Sequence, residues 1–146
     1  MRIKTIKIIG NLLISISLYS LGYVSFMAWW SPNAIMALVG EQLNNADAIS
    51  SIRGVYGAAG LFLIIIMSYV WSKSLLNALR FLSLFWSLYA IARLVTLLYD
   101  GPLGNFATLW LSIEMTFAIF SGSIAFIYQY YYQKGSNIHP PIKLVE

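Results

Sequence analysis

Four apolar stretches, each about eighteen residues or longer, divide this chain, and polar breaks separate them. They run from about 6 to 29, 54 to 71, 77 to 99 and 106 to 130. At about 1.5 Å of rise per residue, each helix would cross a hydrocarbon layer roughly 30 Å thick. The breaks read as helix punctuation. Trp71-Ser72-Lys73-Ser74 is a very short turn, so the second and third helices are expected as antiparallel neighbours. Asp100-Gly101-Pro102 stops the third helix, because glycine takes the left-handed cap conformation and proline cannot continue the hydrogen-bond ladder. Leu103-Gly104-Asn105 then leads into the fourth. Only the link from Ser31 to Ser51 is long. Within it Pro32 opens a short amphipathic piece carrying Ala34, Ile35, Leu38 and Val39, expected along a membrane interface.

Composition turns this pattern into a membrane reading. Of 146 residues, 60% are hydrophobic and 10% charged, against about 25% charged in an average globular chain. Mean hydropathy is +0.75. Arg2, Lys4 and Lys7 precede the first apolar run as they would in a secretory signal. The run from Ile8 to Trp30 is longer than the roughly 7–15 residues of a signal core, and it ends in Met-Ala-Trp-Trp in place of a small-residue cleavage pattern. It reads as a retained first span.

Charge then orients the spans. Lysine and arginine occur in the N-terminal tail (Arg2, Lys4, Lys7), around the turn after the second span (Lys73, Arg80) and in the C-terminal tail (Lys134, Lys143). The long loop has none before Arg53, and the turn after the third span has only Asp100. By the positive-inside rule both termini are cytoplasmic, with the long loop and the Asp100 turn outside. Trp29-Trp30, Trp71, Tyr99, Trp110 and the run Tyr128-Gln129-Tyr130-Tyr131-Tyr132 fit interfacial belts. The expected fold is all-α, a single integral-membrane four-helix bundle over residues 1–146. The net charge of +4 is spread over helix ends, which argues against a nucleic-acid surface.

Few residues carry chemistry. There is no cysteine, and the single histidine, His139, lies in the tail before Pro140-Pro141, so no thiolate or histidine metal set is expected. Two charges fall inside spans, where Arg or Asp at mid-bilayer costs about 2.5–3.5 kcal/mol on insertion scales. Arg93 is about 10 Å below the outer end of the third helix, and Glu114 about 12 Å below the same surface on the fourth. Side chains lean toward their own helix N-terminus, so the two heads should overlap and form a buried ion pair. Arg53 near Tyr56 opens the second span, and Asp100 ends the third. Together Arg53, Tyr56, Arg93, Asp100 and Glu114 form a candidate outer-leaflet polar cluster. The competing reading is structural: an Arg–Glu pair can fix helix register, and Arg53 can anchor at lipid phosphates.

Small residues mark the packing faces. Gly54, Gly57 and Gly60 recur along the second span, and Glu114, Ala118, Ser121, Gly122 and Ala125 share one face of the fourth. On the first span Asn11, Ser15, Tyr19 and Gly22 form a polar stripe expected at the bundle centre. No nucleophile motif, phosphate loop or metal box occurs, and an acid-base role for Glu114 rests on that residue alone.

The segment Ser51-Ile52-Arg53-Gly54-Val55-Tyr56-Gly57, Arg93 followed by Asp100-Gly101-Pro102, and Glu114 in the last span together resemble a family of small bacterial four-helix membrane proteins, the DUF4345 domain of unknown function. The likeness covers roughly residues 10–126. Where that pattern often has Tyr-Gly-Gly, this chain has Ala58 in place of the second glycine. The resemblance implies the four-helix fold, a bacterial inner-membrane location and a polar signature of Arg53, Arg93, Asp100 and Glu114. It implies no activity. Three functions are therefore carried forward: a non-catalytic accessory or scaffold subunit of a larger membrane complex, a binder or carrier of a small molecule or lipid at the polar cluster, and a small isomerase-like enzyme. The expected partners are the bilayer, other membrane subunits and a lipid or small molecule, with no cofactor and no nucleic acid.

Overall fold

The computed structural model describes residues 3–138; Arg2, His139, Pro140-Pro141 and Lys143 lie outside them, as do the side chains of Tyr132 and Lys134. The described residues form α1 (Ile3–Trp30), α2 (Pro32–Ala37), α3 (Ala46–Ile52), a π-helical turn (Arg53–Ala58), α4 (Ala59–Lys73), α5 (Leu75–Tyr99) and α6 (Asn105–Ile138). The π turn joins α3 to α4 without a break, giving one helix from Ala46 to Lys73. Four helices are thus long and apolar enough to cross a membrane: Ile3–Trp30, Ala46–Lys73, Leu75–Tyr99 and Asn105–Tyr131.

The second long helix begins earlier than hydropathy predicts. Asn45 caps it, its side-chain oxygen accepting the Ala48 N–H at 2.7 Å, and Asp47 sits in the first turn where the helix dipole favours a carboxylate. The extra turns carry exposed Asp47, Ser50 and Ser51, and a hydropathy window does not register a polar helical overhang. Arg53 therefore lies seven residues inside a helix instead of opening it. Ser74 is extended (φ −158°) and accepts the Asn77 N–H, so this one residue both ends α4 and caps α5. Gly101 ends the next connection's first step at φ +112°, a conformation that disfavours any side chain.

Helix α1 packs against α4, α5 and α6, α4 against α5, and α5 and α6 share a long antiparallel interface. Cross-helix bonds fix the register. Trp71 Nε1 donates to Asn11 Oδ1 at 2.9 Å near one end, and Ser25 Oγ donates to the Gly57 carbonyl at 2.6 Å near the other, so α1 and α4 are antiparallel. Trp86 Nε1 donates to Ser17 Oγ at 3.0 Å between them. The close-packed core is Ile6 and Ile14 of α1, Met67 of α4, Ala78, Leu79, Leu82 and Trp86 of α5, and Ile124 and Ala125 of α6. All of it except Trp86, which also reaches the α2 end, lies in the half of the bundle remote from α2. Large apolar side chains elsewhere point outward, among them Phe62, Leu84, Ile119 and Phe126, as a lipid-facing surface requires.

The polar stripe expected on α1 is displaced. Tyr19 is 77% exposed and Ser15 and Asn11 are exposed, whereas Ile6, Gly10, Ile14, Ser17, Ser25 and Ala28 are buried. The apolar residues Ile6 and Ile14 select the inward face, and Ser17 and Ser25 on that face acquire the hydrogen bonds. Asn11 serves from the margin as the acceptor for Trp71.

Candidate functional site

The charged pair is built by the α5–α6 hairpin. Arg93 lies two turns before the end of α5 and Glu114 two turns into α6, which sets them side by side. Arg93 Nε donates to both Glu114 carboxylate oxygens, at 2.9 and 2.8 Å. Glu114 is 1% exposed and the Arg93 side chain 24%. This is the sole ion pair among the described residues. Ser83 Oγ, further along the same interface, donates to the Ala118 carbonyl at 2.9 Å, and Ser121 Oγ donates to the Phe117 carbonyl within α6. The charged pair thus sits on an already hydrogen-bonded helix seam.

Beside the pair the helices part. A cavity of about 220 Å³ opens between α1, α2, the π turn, α5 and α6. Arg93, Glu114, Tyr56 and Tyr89 give it a polar side, while Phe85, Trp86, Phe106 and Trp110 give it an aromatic one. Residues of α2 and the coil after it, Ile35, Met36, Leu38 and Val39, complete the wall. Pro32 and Ile35 are buried and hold α2 against the bundle, so the amphipathic piece read from the sequence packs over the cavity.

The π turn brings Tyr56 to this wall. Each residue of a π-helical turn is rotated relative to its α-helical position, and such turns recur at functional sites. Here the turn is wedged. Its Gly57 lies against the Trp29 indole, where a Cβ would come within 2.9 Å, and its Gly57 carbonyl accepts the buried Ser25 hydroxyl. Gly60, one turn on, lies against Ser25, where a Cβ would come within 3.1 Å.

The five cluster residues read from the sequence do not all meet. Arg93, Glu114 and Tyr56 share the cavity. Arg53 does not: its Nε donates to the Trp29 carbonyl at 3.2 Å, at the open C-terminal end of α1, and it borders a separate groove with Trp29, Ser50 and Ala58. The π turn is the cause: its wider winding rotates what precedes it relative to α4, and Arg53 falls against the C-terminal end of α1. Asp100 is exposed and makes no ion pair among the described residues. The packing glycines also divide. Gly57, Gly60 and Gly122 meet neighbours closely, a Cβ at Gly122 coming within 2.9 Å of Ser83 Oγ, whereas a Cβ at Gly54 would meet nothing within 4 Å.

Three site residues escaped the sequence reading. Tyr89 stands four residues before Arg93, one helical turn along the same face, and that spacing was available as a signal. Trp86 falls seven residues before Arg93 on the same stripe. Trp110, read as an interfacial belt residue, lines the cavity four residues before Glu114. No group of three His, Cys, Asp or Glu side chains that could hold a metal occurs among the described residues.

A family model described as a domain of unknown function, DUF4345, matches residues 9–124, so the chain belongs to that family. No curated protein and no solved structure matches it.

Proposed function

We propose that this DUF4345 member binds a small amphipathic molecule, holding its polar head beside Arg93 and Glu114 and leaving its apolar part toward the bilayer. The supporting observation is the cavity itself. A charged pair needed only for register would be enclosed by packing. This pair instead borders an opening walled by aromatic residues, two of them the tyrosines Tyr56 and Tyr89. Concave, mostly apolar sites with a few convergent polar groups are the usual form of small-molecule pockets. The chain in this reading resides in a bacterial inner membrane with both termini cytoplasmic. Lys4, Lys7 and Lys73 at the end remote from α2, with Arg2, Lys134 and Lys143 in the tails, support that orientation. It places the cavity in the outer leaflet.

Native mass spectrometry of protein extracted in mild detergent tests the proposal. The expected result is a co-purifying mass that disappears from the double variant Arg93→Met/Glu114→Leu while helical content and elution position persist. An empty wild-type protein, or equal occupancy in the double variant, would end it.

A second reading, an accessory subunit of a larger membrane complex, draws on one feature. Gly54 and Ala58 are exposed and small, which lets a further helix approach the backbone closely. Crosslinking in native membranes separates the two: a subunit gives a discrete hetero-oligomer, and replacing Gly54 by Leu abolishes it.

A further inference from the structure

We infer that the head group taken by this cavity is an uncharged planar ring bearing carbonyl acceptors, of the quinone or cyclic-ketone class. The inference rests on the binding reading above and specifies its ligand. Its first support is charge. Glu114 and Arg93 sum to zero, and both carboxylate oxygens are occupied by one Arg93 N–H. An anion entering here would meet Glu114 at close range in a low-dielectric site, with an arginine whose charge is already balanced. A cation would meet Arg93 on the same terms. A neutral ligand escapes both penalties.

Hydrogen-bond direction gives the second support. Arg93 Nη1 and Nη2, the Tyr56 and Tyr89 hydroxyls and Trp110 Nε1 have no acceptor among the described residues. The cavity wall therefore holds a surplus of N–H and O–H donors, while its strongest acceptor is committed. As they stand these donors carry no burial penalty, since Tyr56 is 39% and Tyr89 43% exposed and no buried polar side-chain atom among the described residues lacks a partner. A ligand that covers them without matching them would bury each at a cost of about 1–3 kcal/mol, so one that supplies acceptors is selected over one that does not. Carbonyl oxygens supply acceptors without charge.

Shape gives the third. Phe85, Trp86, Tyr89, Phe106 and Trp110 present ring faces and edges, with Phe85 and Trp86 at 5.1 Å in an edge arrangement and Phe106 and Trp110 tilted at 6.1 Å. Such walls pack best against another planar ring. The volume, about 220 Å³, is below the roughly 300–1,000 Å³ of sites that enclose drug-sized ligands, which fits one ring with any tail outside.

Equilibrium dialysis of the full chain in micelles, against protein-free micelles, tests this with three probes built on one ring: duroquinone, durene and durene carboxylate. Duroquinone is expected to bind saturably and about ten-fold more tightly than either of the others. Tyr56→Phe/Tyr89→Phe, which keeps both rings, should weaken duroquinone about five- to ten-fold and leave durene unchanged. Tighter binding of the carboxylate would overturn the neutral-head inference while leaving a binding cavity. Equal binding of durene and duroquinone would show idle donors and overturn it as well. Saturable binding that both the tyrosine double variant and Arg93→Met/Glu114→Leu leave unchanged would place the site elsewhere. No saturable binding by any probe would remove the inference and the binding reading together.

Discussion

The two halves of this bundle solve opposite problems with nearly the same amino acids. Remote from α2, Ile6, Ile14, Met67, Leu79, Leu82 and Ile124 interdigitate and are at most 7% exposed. At the α2 end the same four helices bury chiefly small or polar residues, Ser25, Ala28, Ala90 and Glu114, and among the described residues the one large aliphatic side chain buried there, Ile35, comes from α2. Aromatic rings there line a cavity instead of filling it. In lipid, helices associate through close contact and hydrogen bonds more than through apolar burial, so a gap sacrifices contacts directly. One half is therefore the clamp that holds the helices, which frees the other to stay open around a charged pair.

The largest break in that comparison should come from splitting the pair. Glu114→Leu leaves Arg93 without its partner among apolar neighbours, and removing one member of a buried pair costs about 3–5 kcal/mol. Arg93→Met strands a carboxylate that is 1% exposed and should cost as much. The double variant Arg93→Met/Glu114→Leu should recover most of the loss, because a hydrophobic replacement of both charges is close to neutral. Denaturant titration in mixed micelles checks all three. Equal losses in the single and double variants would show that the open half depends on the charges for its packing.

In the closed half, Leu82→Ala should cost about 2–5 kcal/mol through the void it leaves, since Leu82 is fully buried. Leu84→Ala, two residues on but facing outward with the side chain 60% exposed, should stay within about 0.5 kcal/mol. The same titration reads both, and a similar loss at the two positions would mean that the core is assigned to the wrong face.

The difference between the halves was only partly legible in the chain. Four apolar stretches were enough to place the long helices, and matching depths on a hairpin were enough to pair Arg93 with Glu114. Both follow from local spacing. Helix phase was harder. Asn11, Ser15, Tyr19 and Gly22 form as regular a stripe as the buried one, and only the facing surfaces of α4, α5 and α6 decide between them. The π turn was invisible, because one extra residue per turn leaves hydropathy unchanged while rotating everything before it relative to α4. That rotation is why Arg53 left the cluster and Tyr56 stayed. Tyr89 was legible by its spacing from Arg93, but an aromatic in an apolar span gives no sign of whether it faces lipid or a cavity.

Neighbouring glycines sharpen the role of the π turn. Gly57→Ala would bring a methyl within 2.9 Å of the Trp29 ring. Trp29 is half exposed and can yield, so the cost should be about 1 kcal/mol, near the lower end of an overpacking penalty. Gly54→Ala, three residues earlier on the same turn, meets nothing and should stabilise the protein by about 0.4–1 kcal/mol by restricting the unfolded chain. Opposite signs in thermal unfolding would confirm that α1 presses on one edge of the turn only. Equal destabilisation would mean that the turn itself needs glycine at both positions.

The smallest effect marks the border between the halves. Trp86 belongs to both: it packs in the core against Phe117 and also lines the cavity, and its Nε1 is tied to Ser17 Oγ across the bundle. Interhelical hydrogen bonds in membranes average about 0.6 kcal/mol, so Ser17→Ala should lower stability by about that much. Ser17 is fully buried and small, so the variant leaves almost no void and the change isolates the bond. If the bond also holds the indole at the cavity floor, Ser17→Ala should weaken duroquinone binding about two-fold, more than its effect on stability at probe concentrations far below denaturation can produce. Unchanged binding with reduced stability would assign Trp86 to the clamp alone and set the edge of the cavity one helical turn nearer α2.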